Sequence, residues 1–197
     1  MGEAKADIDP KAKGPVSAKF RDLTTYFNRR EAQNARNLRW LIETAYAGRK
    51  IIVWAHNVHI INASFEPEFV ATHLEARPGL MKPTGVYIAD WLGDQVYSIT
   101  FTTYAGRDGW ATTNAVASLP PVAPDSLEAR LHALGKPYLF LNLRTLDAQP
   151  RHAMRRPQAT RLFVPPPGHE RTPAHQGNLL IPDITRAFDA VFFVDQM

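Results

Sequence analysis

The sequence predicts an α/β fold, a largely parallel sheet flanked by helices. Three observations predict it. Patterns with helical spacing are each followed by a short apolar run. That order recurs three times along the chain. A last apolar run, Phe188-Asp-Ala-Val-Phe-Phe-Val-Asp195, closes it. Helix and strand signals that alternate in this way argue for strands brought side by side and covered by the helices between them. With 197 residues, 45% hydrophobic and 21% charged, one domain with a buried core is expected. No internal repeat is present.

Residues 1–20 mix Lys, Ala, Gly and Pro without periodicity and read as a flexible lead-in. Residues 21–197 are taken as the domain. Asp22 can cap a helix start. Ala32, Ala35, Leu38, Leu41, Ile42 and Ala45 then recur at helical spacing. One helix or two is left open around Tyr26–Arg30, and Gly48 is a plausible stop. The β-branched run Ile51-Ile-Val-Trp-Ala55 reads as a strand buried on both faces. Ile60–Phe65 and Glu66-Pro-Glu68 read as loop, with a weak helical signal over Glu68–Ala76. Thr84 to Gly93 is a second helix. Gln95–Thr103 alternates as a strand, and Gly106–Gly109 as a turn. Asp125 and Ser126 precede a third helix with Leu127, Leu131 and Leu134, stopped by Gly135. Tyr138-Leu-Phe-Leu-Asn-Leu143 is a further apolar strand. From Arg144 to Pro182 no periodicity is visible. The span carries Arg151, Arg155, Arg156, Arg161, Arg171 and three consecutive prolines from Pro165. It is either a functional cover or disordered.

Composition narrows the function classes. Lys and Arg number 23 against 19 Asp and Glu, a formal charge of +4. Charge this mild does not argue for nucleic acid, and the arginines of 151–161 lack interleaved aromatics. With no cysteine, disulfides, thiolate catalysis and Cys-ligated zinc are excluded for this chain. The first fifteen residues are polar, without the apolar stretch of a signal peptide, and Ala6 stands where a myristoylation site needs Ser or Thr. A cytoplasmic protein without membrane contact is expected. No Walker loop, dinucleotide fingerprint or nucleophile elbow occurs, so no cofactor is expected.

The chemistry is expected at the end of the first apolar run, in His56, Asn57 and His59. Ligand sites of open α/β sheets lie just past the carboxyl ends of strands, and imidazole exchanges protons near neutral pH. His56 and His59 are three apart, so they serve one site only if the chain turns after Ala55. Asn57 adds an amide able to orient a ligand. A structural role, with the ring nitrogens satisfied by backbone, stays open beside this one. A metal is not expected. Zinc takes three or four protein ligands, and Glu66, Glu68, His73 and Asp90 form no recognisable set. His132, His152, His169 and His175 read as solvated.

Four stretches together resemble the erythromycin esterase family. Val53-Trp-Ala-His-Asn-Val-His-Ile60 looks like its tryptophan–histidine signature. Arg30-Glu-Ala-Gln-Asn-Ala-Arg-Asn-Leu-Arg-Trp-Leu41 resembles its Arg-[Asp/Glu]-x-x-Met-Ala-x-Asn-x-x-Trp-Leu helix, with Asn34 in place of Met. Leu92-Gly-Asp-Gln-Val-Tyr-Ser-Ile-Thr-Phe101 resembles a Leu-Gly-Asp strand, with Thr100 in place of Gly. Phe188-Asp-Ala190 resembles the closing strand. The resemblance implies hydrolysis of a carboxylic ester or lactone, such as a macrolide antibiotic, by activated water. His56 and His59 would be catalytic, with Trp54, Asn57, Arg30 and Glu31 around the substrate. Family members also carry, in their first half, a Gly-Glu-x-x-His-Gly motif with the presumed general base. This sequence has no His-Gly dipeptide. The chain therefore reads as the C-terminal part of the domain, incomplete relative to the full family fold and inactive alone. A homodimer or an upstream complementing segment is the expected completion. The alternative is a non-catalytic module binding a small molecule or a protein.

Overall fold

The computed structural model describes residues 18–62, 68–69, 82–110, 115–119, 121–146, 153–156, 158–161, 178–181 and 183–197. The weak helical signal beyond Phe69, and His73, His152, His169 and His175, lie outside them. The first described element is one helix, α1 (Ala18–Trp40), which starts four residues before Asp22 and runs without a break through Tyr26–Arg30. It continues as a single π turn, Leu41–Ala45. The helical path ends before Gly48, whose φ of 75° is the left-handed conformation glycine adopts without a Cβ clash.

The expected strand Ile51–Ala55 does not form. These residues are irregular and pair with no described strand. Ile52 is 92% and Trp54 83% exposed. An apolar, β-branched run has the propensity for a strand, but a strand exists only where another chain segment supplies ladder partners. The chain then turns through a 3₁₀ segment, Asn57–His59. This is the bend that the histidine pair required.

Strand β1 (Glu68–Phe69) is followed by α2 (Thr84–Leu92), which begins and ends where the sequence places it, with Gly93 at φ 55°. Next come β2 (Ile99–Ala105), the hairpin β3 (Arg107–Trp110) and β4 (Ala115–Ser118), then α3 (Leu127–His132). The expected turn at Gly106–Gly109 is thus partly strand. The hairpin's hydrogen bonds override the local turn signal of two glycines. In α3, Ser126 is the cap, its side chain accepting from the Ala129 amide. Strand β5 (Tyr138–Asn142) follows. The span 144–182, in which the sequence shows no periodicity, contains strands β6 (Gln158–Arg161) and β7 (Asn178–Ile181). Short α4 (Ile184–Ala187) leads into the closing strand β8 (Ala190–Gln196).

The α/β class holds, with a sheet flanked by helices, but the pairing is mixed rather than largely parallel. β8 lies in the middle of one sheet, parallel to β2 and antiparallel to β5. β7 lies between β1 and β6, antiparallel to both. Helix–strand alternation predicts parallel neighbours only if each helix returns the chain to the same end of the sheet. The stretch from the hairpin through α3 delivers β5 in the opposite sense. No described helix is long and apolar enough to cross a membrane.

The core lies on one face of β2-β8-β5. Leu127, Leu131, Leu143, Ile181, Ile184, Phe188, Val191 and Phe193 form one buried cluster with Ile61. The other face carries a cross-strand row, Phe101–Phe192–Phe140, whose outer members are exposed. Polar groups cross the core at Glu128 of α3, which is fully buried. Its Oε1 accepts from the Thr102 hydroxyl of β2 (2.5 Å) and the Arg161 amide of β6 (2.8 Å). Burial pushes the Glu128 carboxyl above the ordinary range, and those two hydrogen bonds only partly oppose it. His132 is exposed, as expected, and its ring stacks flat on Tyr104 and bonds to Asp195 at 2.6 Å.

Two predictions follow from this packing. A Cβ on Gly85 of α2 would sit 2.4 Å from the Ile61 carbonyl oxygen. Gly85→Ala is therefore expected to cost about 1–3 kcal/mol, read from urea unfolding. An unchanged midpoint would refute this close approach. Glu128 holds its proton more tightly folded than unfolded, so its burial cost emerges as pH rises above the ordinary carboxylate value. Glu128→Gln should raise the melting temperature at neutral pH by roughly 2–4 °C per kcal/mol relieved, with the gain vanishing in acid. A loss that grows with pH would mean a charged, well-paired carboxylate instead.

Candidate active site

Helix periodicity sets the site's first wall. Phe27, Arg30 and Glu31 are three and four residues apart on α1 and share one face. Glu31 is completely buried, an expensive position for a carboxylate unless every lone pair is served. Its Oε2 accepts from the Thr84 hydroxyl (2.8 Å) and the Thr84 amide (3.1 Å) at the first turn of α2. The same oxygen lies 2.9 Å from Nδ1 of His59. Oε1 is held by the Arg30 guanidinium at 3.1 Å. Burial alone would raise the Glu31 pKa. Hydrogen bonds from His59 and Thr84 outweigh it and bring the carboxyl down to about 2.

The second wall is the turn after Ala55. His56 is its cap residue, with Nδ1 accepting from the Val58 amide at 3.2 Å. The His59 amide donates back to the His56 carbonyl at 2.8 Å. The turn brings the two imidazoles to 6.3 Å, edge to face. Phe27 stacks on the His59 ring at 5.7 Å, and Arg30 lies 5.5 Å over the Phe27 ring. Arg30 Nη2 is 3.4 Å from His59 Nε2. Partial desolvation, and after it the neighbouring His59, push the His56 pKa down.

The chain beyond His59 is tied to the sheet by polar bonds. The Ser98 hydroxyl donates to the Ile60 carbonyl at 2.6 Å. Asp189 accepts from the Asn62 side chain (2.9 Å), the Ser98 amide (2.7 Å) and Arg144 Nε (2.7 Å).

Of the residues expected at the site, the structure brings together His56, His59, Arg30 and Glu31. Asn57 and Trp54 are turned to β2. The Asn57 amide donates to the Phe101 carbonyl (2.7 Å) and accepts from the Phe101 amide (3.2 Å), closing that edge as a strand would. Trp54 packs on the Phe101 ring at 5.3 Å. Thr84 was missed as a site residue. It was visible only as a helix start, and nothing local says that a helix terminus serves a carboxylate 53 residues away. No three His, Cys, Asp or Glu side chains among the described residues lie close enough to hold a metal. Asp90 is paired with Lys82 at 3.4 Å.

Comparison with known proteins bears on this geometry. The family model described as erythromycin esterase matches residues 17–197. The chain is 31% identical over 122 residues to the putative hydrolase YbfO of Bacillus subtilis, covering 59% of this chain and 25% of that protein. It thus spans about a quarter of that curated relative. A crystal structure of a Bacillus cereus protein superposes with a TM-score of 0.66 at 16% identity, over 92% of this chain and 40% of that one. A succinoglycan biosynthesis protein gives 0.64 at 18% identity, with the same coverage. A mutant of the erythromycin esterase EreC in its open conformation gives 0.54 at 15%, over 86% of this chain and 37% of that one. At these identities the structural likeness carries the fold.

Glu31 is charged when folded, so the stability it contributes is present above the ordinary carboxylate value of 4.5 and is lost as pH falls toward about 2. Glu31→Gln should cost about 3 kcal/mol at neutral pH. Urea midpoints at decreasing pH should converge with those of the parent chain. A deficit independent of pH would rule out a charged Glu31.

Proposed function

The chain belongs to the erythromycin esterase family, and we propose that it forms the His-Asn-x-His side of a cleft that hydrolyses a carboxylic ester or lactone by activated water. One observation carries the reading. A buried, ionised carboxylate, Glu31, orients His59 beside a half-exposed guanidinium, Arg30, and a second imidazole, His56. Hydrolysis needs a group to take a proton from water and return it to the leaving alkoxide. It also needs donors for the negative charge that collects on the carbonyl oxygen. Donors for that charge stand within this cluster, and the group that takes the proton from water is proposed to come with the family's first-half motif. Support also comes from the hydrolase name of the curated relative and from the fold of the esterase EreC. A macrolide lactone is the first substrate to try, since the family carries that name. No cofactor enters the scheme.

The general-base motif of the family's first half is not in this sequence. The cleft is proposed to be completed by a complementing segment or a second copy. The second reading, a non-catalytic binding or interaction module, is favoured by a different observation. Phe101, Phe140, Tyr138, Trp54 and Ile52 are all exposed, more apolar surface on one sheet and its neighbouring segment than solvated sheets carry.

The test is hydrolysis of p-nitrophenyl acetate and of a macrolide lactone by the chain alone, then with the complementing segment supplied. Negligible turnover alone and turnover on complementation, lost in His59→Ala, are expected. Robust turnover by the chain alone that His56→Ala abolishes would sink the half-cleft reading. No turnover in either form would favour the binding module.

A further inference from the structure

We infer that the aromatic face of the β2-β8-β5 sheet is where a second copy of this chain docks, sheet against sheet, about a two-fold axis near Phe192. The inference stands on the surface alone and rests on neither functional reading.

Strand register builds the face. Side chains alternate along a strand, so Val191 and Phe193 of β8 enter the core while Phe192 and Val194 point away from it. Phe192 lies opposite Phe101 of β2 and Phe140 of β5. The Phe101 and Phe192 rings are 5.3 Å apart, and Trp54 extends the row at 5.3 Å from Phe101. Tyr138, two residues before Phe140, shares its face and lies opposite Val194. A continuous aromatic row thus crosses the sheet from the Ile51–Ala55 segment to β5.

The size of this surface marks it as an interface. Phe101 is 44%, Phe140 54%, Tyr138 68%, Trp54 83% and Ile52 92% exposed. With aromatic side chains of roughly 150–250 Å² each, these fractions leave on the order of 600 Å² of apolar surface. An ordinary monomer carries no patch larger than about 600 Å². Two copies pressed together would remove about 1,200 Å² from water, the area at which specific, stable interfaces begin.

Charge selects the partner. Ile99–Thr103, Tyr138–Asn142, Ala190–Val194 and Ile51–Ala55 contain no charged residue. Nucleic acid, an acidic peptide or a charged membrane surface would find no ion pair there. A two-fold pairing sets a patch against its own copy, so a charge at its centre would meet its like. An uncharged face escapes that repulsion. Symmetry about Phe192 also fixes which residues meet. The β2 side of one copy lies over the β5 side of the other, so Trp54 of each copy meets Phe140 of its partner. Facing sheets pack about 10 Å apart, with their side chains interdigitated.

Sedimentation equilibrium of the unaltered full chain, from low to high micromolar concentration, tests this. A mass of two chains at the upper end is expected. A single chain throughout overturns the inference and leaves the face to a different partner. Trp54→Lys and Phe140→Glu then test the geometry, with circular dichroism to show that each is folded. Each variant alone should dissociate on the order of tenfold more readily or beyond, because both symmetry-related contacts then set a charge against a ring. Their equimolar mixture should dimerise again, because one contact becomes an ion pair and the other is the native Trp54–Phe140 contact. A dimer that neither variant weakens forms elsewhere and overturns the proposal. Folded variants that stay monomeric when mixed refute the two-fold pairing. Hydrogen exchange in the unaltered chain covers a variant that does not fold. Protection over Ile52–Trp54 and Tyr138–Phe140 should rise with concentration, and a rise confined to other segments overturns the docking face.

Discussion

A carboxylate with no exposed surface has to be answered by donors on every side, and Glu31 is answered by three segments of the chain. Its own helix supplies Arg30, the turn after Ala55 supplies His59, and the first turn of α2 supplies Thr84. The charge is lowered in energy only if all three arrive together. The carboxylate therefore acts as a keystone. It fixes how α1 meets α2, and it aims the imidazole. Gly85 permits the approach, because the backbone at Ile60–Ile61 passes where a side chain would stand.

The remaining architecture holds the turn in place from the other side. Asp189, at the entry to the central strand β8, gathers Asn62, Ser98 and Arg144. Asn57 fastens itself to β2 at Phe101. Two polar anchors thus flank two histidines, one on the sheet edge and one on the loop behind it. Support of this kind fixes the position of the turn that carries both imidazoles. The sheet's second face serves no such purpose among the described residues. Its row of phenylalanines is apolar, yet Phe101 and Phe140 face solvent, whereas strands of mixed and parallel sheets are commonly covered on both faces.

Much of this was legible in the residues themselves. Apolar spacing and capping chemistry located α2 and α3 closely, because Ser126, Gly93 and Gly135 act through neighbouring backbone. The histidine pair was recognisable from residue type and from the short Trp-Ala-His-Asn-x-His order. Pairing was not legible. Ile51–Ala55 has the composition of a buried strand and is irregular and largely exposed, since a strand is a relation between segments and not a property of one. Gln158–Arg161 and Asn178–Ile181 show the converse, with unremarkable sequences made into strands by each other.

The sequence by itself determined the family, the α/β class, the positions of α2 and α3 and the residue types available for chemistry. These follow from interactions within a few residues, or from motifs that survive as strings. Tertiary structure decided which of those residues meet, and it holds the Glu31 carboxyl below the ordinary range. Asn57 and Trp54 went to the sheet edge, while Glu31, His59 and Thr84 met across the core. The reason is physical. Burying a charge at Glu31 obliges distant donors to converge on it, and no local pattern encodes which donors those will be.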